Sequence, residues 1–213
     1  VKAASTMPDI SGLPVVRIKA SAGQSDYFAI MFSGDGGWSK FDQGVCDEMA
    51  NHGVSTLGLN CLKYIRHTKT PEQMTTDLSR LIEWGKTEFG KQKVILIGYS
   101  CGANLTPFAY NRLNDSIKAK VQYVALLSPE KMADFRFHFY NWANSNSHKA
   151  QPVKPELEKM RNKPALFIYG EEENNAWCSD LMNGMFQLKK LPGGHHFNQD
   201  TRSVAAEILH FNL

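Results

Sequence analysis

Residues 94–97 read Val-Ile-Leu-Ile, apolar at every position, and run straight into Gly98-Tyr99-Ser100-Cys101-Gly102. A short run apolar on both faces belongs in the centre of a parallel sheet covered on both sides. The five residues after the run spell G-x-S-x-G, at the end of that strand and the start of a helix. A strand that turns sharply into a helix leaves the middle residue at the tip, so Ser100 projects its hydroxyl outward. Glycines on either side remove Cβ atoms that would crowd such a turn. The amide of Cys101 falls at the helix N-terminus, where it can face a developing negative charge.

The rest of the chain alternates in the same manner. Val15–Ile18 and Tyr27–Phe32 read as strands, 41–52 as a helix with Val45 and Met49 on one face and Gly53 as its stop, and Val54–Leu59 as a strand. Thr70-Pro71-Glu72-Gln73 is a helix start: Thr70 caps, Pro71 fits the first turn and Gln73 completes a capping box. Met74, Leu78, Leu81 and Ile82 then mark a core-facing stripe, and Gly90 ends it. A helix over 102–113 is expected, then strands at 121–127, 165–169 and 186–191 and a terminal helix at 203–211. Alternation of this kind predicts an α/β fold with a mostly parallel central sheet, in one domain spanning 1–213. Ligands of such sheets bind at the carboxyl ends of strands, and the suspicious motifs all fall there. The segment 129–163 breaks the alternation with Phe135, Phe137, Phe139, Tyr140 and Trp142. It reads either as a cap over the site or as a piece that packs its aromatics into the core.

Serine attacks only when a base takes its proton. The candidate base lies in Pro192-Gly193-Gly194-His195-His196-Phe197, after the last strand. His195 directly follows the glycine pair and is the first choice; His196 is the alternative. A third, acidic member must orient the imidazole and stabilise its charged form. Gly170-Glu171-Glu172-Glu173 follows the strand at 165–169. Glu173, three residues past the glycine, is selected, with Glu172 as main competitor and Asp180 as a more distant one. A second oxyanion donor is expected from the loop Ser33-Gly34-Asp35-Gly36-Gly37-Trp38, where the amide of Asp35 or Gly36 can donate; Cys101, Asp35, Gly36 and Gly37 are the expected oxyanion and binding positions. Asp35 is awkward there, because a carboxylate beside an oxyanion opposes its charge; it points away or meets a cationic group on the substrate.

The totals exclude some classes. A net charge of +3 over 213 residues, with no Lys/Arg run and no basic–aromatic interleaving, gives no reason to expect nucleic acid. A mildly basic surface would suit an anionic membrane surface or an acidic lipid headgroup, but ordinary scatter is the stronger reading. No apolar run approaches the ~18 residues of a spanning helix. Val1-Lys2-Ala3-Ala4-Ser5 lacks the apolar stretch of a leader, and a start at Val fits a trimmed chain. Cys46, Cys61, Cys101 and Cys178 form no C-x-x-C pair; disulfides and buried free thiols both remain open. Adjacent histidines cannot readily share one ion, and neither metal nor cofactor is expected.

Taken together these residues resemble the bacterial virulence protein VirJ/AcvB family of α/β hydrolases. The marks are Ser33–Trp38, Leu62-Lys63-Tyr64 with Thr70-Pro71-Glu72, Gly98-Tyr99-Ser100 with Gly102-Ala103-Asn104, and Pro107-Phe108 with Asn111-Arg112-Leu113. Ala125–Ser128, Tyr169-Gly170 with Glu173, Cys178 and Gly193–Phe197 continue them, so the likeness spans most of the chain. The resemblance implies a periplasmic serine esterase acting on the aminoacyl ester (lysyl or alanyl) of aminoacyl-phosphatidylglycerol, with Ser100, His195 and Glu173 as its triad. It also implies contact with a membrane surface and, in some members, with type IV secretion components. A general carboxylesterase or thioesterase, or a non-catalytic accessory protein on the same fold, are the competing expectations.

Overall fold

The computed structural model of the chain describes residues 7–21, 25–136, 150–173 and 186–211. Among these the order is β1 (Val15–Ile18), β2 (Tyr27–Phe32), α1 (Lys40–Asn51), β3 (Thr56–Leu59), α2 (Cys61–Tyr64), α3 (Pro71–Phe89), β4 (Lys93–Tyr99) and α4 (Cys101–Asn111). Then come α5 (Asp115–Lys118), β5 (Val121–Leu127), β6 (Met132–Ala133), β7 (Gln151–Pro152), α6 (Lys154–Lys159), β8 (Ala165–Gly170), β9 (Gln187–Leu191) and α7 (Thr201–Leu209). Seven strands make one sheet in the order β1-β3-β2-β4-β5-β8-β9. Every neighbouring pair is parallel except β1 with β3 at the edge. This is the α/β-hydrolase architecture that the sequence predicts.

The apolar run of β4 explains its central place. Val94 and Leu96 enter one core layer, with Phe28, Ile30 and Phe32 of β2 and the stripe Met74, Leu78, Leu81 and Ile82 of α3. Ile95 and Ile97 enter the other, with Ala29 and Met31, α1 residues Val45 and Met49, and α7 residues Val204, Ala205 and Ile208. Successive residues of a strand face opposite sides, so a strand covered on both sides must be apolar throughout.

Helix ends obey their local chemistry. Thr70 and Gln73 form the expected capping box, and Gly90 closes α3 in the left-handed region at φ 65. The first helix begins at Lys40, earlier than expected, because Ser39 and Asp42 form a second capping box. The last begins at Thr201 because the Asp200 side chain accepts from the Ser203 amide. Three short helices and the β6–β7 pair were not legible as elements; α2 and α5 are single turns begun by the side-chain caps Asn60 and Asn114. Pro107 lies inside α4, where it removes one backbone donor from the helix.

Where it is described, the 129–163 excursion packs into the core. Phe135 meets Phe108 edge-to-face at 5.0 Å, and Val153, Leu157 and Met160 join the same apolar layer. Glu156 is nearly buried and ties α6 to α4 through Asn111 and Arg112. The remaining aromatics of the segment, Phe137, Phe139, Tyr140 and Trp142, lie outside the described residues, so the cap expectation stands only for them. No helix among the described residues is long and apolar enough to cross a membrane.

Candidate active site

Ser100 joins β4 to α4 with φ 51 and ψ −118, a backbone state that L residues rarely adopt. Its amide donates to the Leu127 carbonyl of β5, and its carbonyl accepts from Asn104 in the first turn of α4, so neighbours on both sides hold the turn. The two motif glycines do separate jobs. A Cβ on Gly98 would lie 2.5 Å from the Gly102 carbonyl oxygen, where the new helix crosses back over its strand. A Cβ on Gly102 would lie 2.2 Å from the Phe32 oxygen, where the helix presses on the end of β2. Both collisions are with backbone, which cannot swing aside.

The base arrives from the loop after β9. That loop crosses the end of β8 so closely that a Cβ on Gly170 would lie 2.3 Å from the Gly194 oxygen. His195 Nε2 then stands 2.8 Å from Ser100 Oγ. His196 does not compete for this place: its Nδ1 lies 2.5 Å from the Tyr99 hydroxyl and its side chain is exposed. Of the three glutamates after β8, Glu171 and Glu172 are exposed, whereas Glu173 turns inward. Glu173 Oε2 lies 3.4 Å from His195 Nδ1, and Oε1 accepts from the Gly170 amide at 2.9 Å and the Ser128 hydroxyl at 2.5 Å. The Nδ1–Oε2 contact is long for a hydrogen bond, as resting sites of this kind often are. Asp180 lies outside the described residues, as does Cys178.

Electrostatics follow from these contacts. Burial alone would raise the Glu173 carboxyl, but the donors His195, Ser128 and the Gly170 amide outweigh it and bring the group down to about 2. His195 is raised, chiefly by its bond to Glu173, against a smaller opposing effect of burial, with help from the charges of Glu173, Glu130 and Asp35. The Cys101 thiol is pushed up by burial first and then by Asp35, Glu130 and Asp134, so it stays protonated beside Ser100 and is no rival nucleophile.

The glycine loop lines a cleft of about 350 Å³ together with Ser100, His195, Lys40 and Gln199. Asp35 and Gly36 line it. Gly37 also lines it, but its amide donates to the Gly34 carbonyl at 3.1 Å, so it closes the turn and is not a second oxyanion donor. Cys101 opens α4, and the first amide of a helix has no acceptor within that helix. The loop is stapled at both ends. Ser33 Oγ accepts from the Cys61 amide, and the Trp38 ring covers Gly58, where a Cβ would lie 2.1 Å from it. Asp42 Oδ2 meets both the amide and the hydroxyl of Ser39, while burial raises its carboxyl against the opposing effect of Ser39. Sequence reasoning missed Tyr99, Ser128, Asp42 and Gln199; only Asp42 carried a local sign, the spacing Ser39-x-x-Asp42. No cluster of His, Cys, Asp or Glu among the described residues is arranged to hold a metal ion.

A nucleophile with a base on one side, an acid behind the base and an open helix amide beside it can perform acyl transfer. Solved structures with the same fold include Est1E of Butyrivibrio proteoclasticus, with TM-score 0.65, 16% identity and 96% of this chain covered against 97% of that one. The Pyrococcus furiosus esterase Pf2001 gives TM-score 0.66 at 14% identity over 93% and 88%. Naproxen esterase of Bacillus subtilis gives 0.59 at 14% over 92% and 86%. No protein of curated function matches at a significant level. The family described as bacterial virulence protein (VirJ) matches residues 26–212, and the chain belongs to that family.

Proposed function

We propose that this protein is a serine hydrolase that cleaves an ester through an acyl-enzyme on Ser100. The observation that carries the reading is the 2.8 Å contact of His195 Nε2 with Ser100 Oγ, with Glu173 behind the other ring nitrogen. In acylation the Ser100 oxygen bonds to the substrate carbonyl carbon as its proton passes to Nε2. The tetrahedral oxyanion faces the Cys101 amide and an amide of the Asp35–Gly36 loop. Collapse breaks the carbon–oxygen bond to the alcohol, which leaves with the proton from His195. Water then repeats the sequence, giving its proton to His195 and releasing the acid and a regenerated Ser100.

The substrate class we infer is the aminoacyl ester of a phosphatidylglycerol-type lipid, lysyl or alanyl. The family resemblance suggests it, and the charge distribution supports it. Asp35 lines the cleft, and Asp35 and Glu130 both act on His195, which suits an acyl group bearing an ammonium in a protein of net charge +3. Residence in the periplasm, contact with an anionic membrane surface and association with secretion components are further parts of this proposal and rest on the resemblance.

The test has two stages. A fluorophosphonate probe should label the wild type and not Ser100→Ala; equal labelling of both, or of neither, removes the enzyme reading and leaves the accessory protein. Vesicles containing lysyl- or alanyl-phosphatidylglycerol should then lose the aminoacyl lipid on thin-layer analysis. Unchanged lipid with a labelled Ser100 would favour a general esterase. Asp35→Asn should depress cleavage of a lysyl ester more than of a neutral one.

A further inference from the structure

We propose that Ser128 is a positioning residue that holds the Glu173 carboxylate in the orientation His195 needs; this rests on the reading of Ser100, His195 and Glu173 as a working triad. Ser128 directly follows β5, between the strand that delivers Ser100 and the strand that delivers Glu173. It is fully buried, and its amide donates to the Ile168 carbonyl of β8 at 2.8 Å. Its hydroxyl lies 2.5 Å from Glu173 Oε1 and 3.5 Å from the His195 carbonyl. A hydroxyl has one proton, so the shorter contact takes it: Ser128 donates to Glu173.

Two features argue that the hydroxyl, and not the turn, is what this position supplies. The first is the backbone. Ser128 sits at φ 46, a region in which glycine is free and other residues are strained. A residue chosen only to make the bend would be glycine. The second is the length of the acid. Glutamate carries one more rotatable bond than aspartate, and its carboxylate swings over a wider arc unless it is tethered. The Gly170 amide and the Ser128 hydroxyl both bind Oε1, and that pair of donors leaves Oε2 directed at His195 Nδ1. The extra methylene and the strained serine are therefore complementary.

The rate of fluorophosphonate labelling at saturating probe reads the reactivity of Ser100 without the natural substrate. Ser128→Ala and Ser128→Gly should both lower the maximal rate about tenfold, the worth of one charge-assisted hydrogen bond, with half-saturation unchanged. The glycine variant relieves the bend, so its retained or improved melting temperature separates lost positioning from lost folding. Both should move the acid limb of the rate–pH profile downward, because His195 loses part of its hold on Glu173. In Glu173→Gln, adding Ser128→Ala should cost nothing more. A glycine variant that labels at the wild-type rate, or an acid limb that stays or rises, would overturn the proposal. If Glu173→Gln itself labels normally, the triad reading fails, a result distinct from failure at Ser128 alone.

Discussion

Ser100 is held at φ 51 and ψ −118, and that strain can be weighed by replacing it with alanine and with glycine. Both variants lose the hydroxyl and its 2.8 Å contact with His195, so the difference between them isolates the backbone. At an unstrained site glycine is the less stable by about 0.4–1 kcal/mol, because the unfolded chain gains freedom. A side chain confined to a sparsely populated region stores about 1–3 kcal/mol. Here the second effect exceeds the first, and Ser100→Gly should be more stable than Ser100→Ala by about 1 kcal/mol. For a chain of this size that is about 2–4 °C in melting temperature. Urea titrations give the same comparison from the two midpoints, provided the slopes agree. Neither variant should be labelled by a fluorophosphonate. The ordinary order, alanine above glycine, would refute the claim that the turn is strained and that β5 and the first turn of α4 hold it so.

Further outcomes are expected at other positions. Reactivity of Ser100 should rise with pH through a titration above the ordinary histidine value of 6.5, since His195 must be neutral to accept the proton. Stability runs by a different rule: the Glu173 contribution is present above 4.5 and lost as pH falls through about 2, while that of His195 is present below 6.5 and lost as pH climbs through its raised value. Melting curves across pH should record both, and Glu173→Gln should flatten both; an unchanged acid-side slope in that variant would count against the pairing. Gly102→Ala places a Cβ 2.2 Å from the Phe32 oxygen, so the helix must lift from β2; about 3 kcal/mol of stability should go, roughly 6–12 °C, with loss of labelling at Ser100. Cys46 and Cys61 are buried and their thiols are pushed up chiefly by desolvation, so neither should take iodoacetamide at pH ~8 until the protein unfolds.

Some parts of the site were legible because their determinants are local. An apolar run, a glycine, a serine and a second glycine define the turn at Ser100 within a few residues. His195 was chosen over His196 from its place directly after the glycine pair, but what separates the two in the folded protein is not local. It depends on the Tyr99 hydroxyl, which engages His196 from almost a hundred residues away in the chain. Glu173 was one of three adjacent glutamates, and what distinguishes it is the Gly170 amide and Ser128, 45 residues earlier. A serine after an apolar run is too common to announce such a role. The same limit applied to the sheet. Each strand of the seven-stranded sheet was visible in the sequence, but the order β1-β3-β2-β4-β5 and the antiparallel edge strand arise from crossovers that leave no mark on any single segment.

The glycines explain why short motifs were informative at all. Gly98, Gly102 and Gly170 each stand where one backbone crosses another at a distance no Cβ can tolerate. Those crossings are the means by which three functional groups reach one point: β4 turns back under its own helix, that helix leans on β2, and the β9 loop passes over β8. Each of these three glycines therefore records a close approach of two backbone segments, made in three dimensions but written at one position. Residues such as Ser128 that act through a side chain record nothing comparable, because the partner of the hydroxyl, Glu173, lies 45 residues further along the chain. Close backbone approach is hence readable from sequence, whereas second partners of a site's side chains must be found in the folded protein.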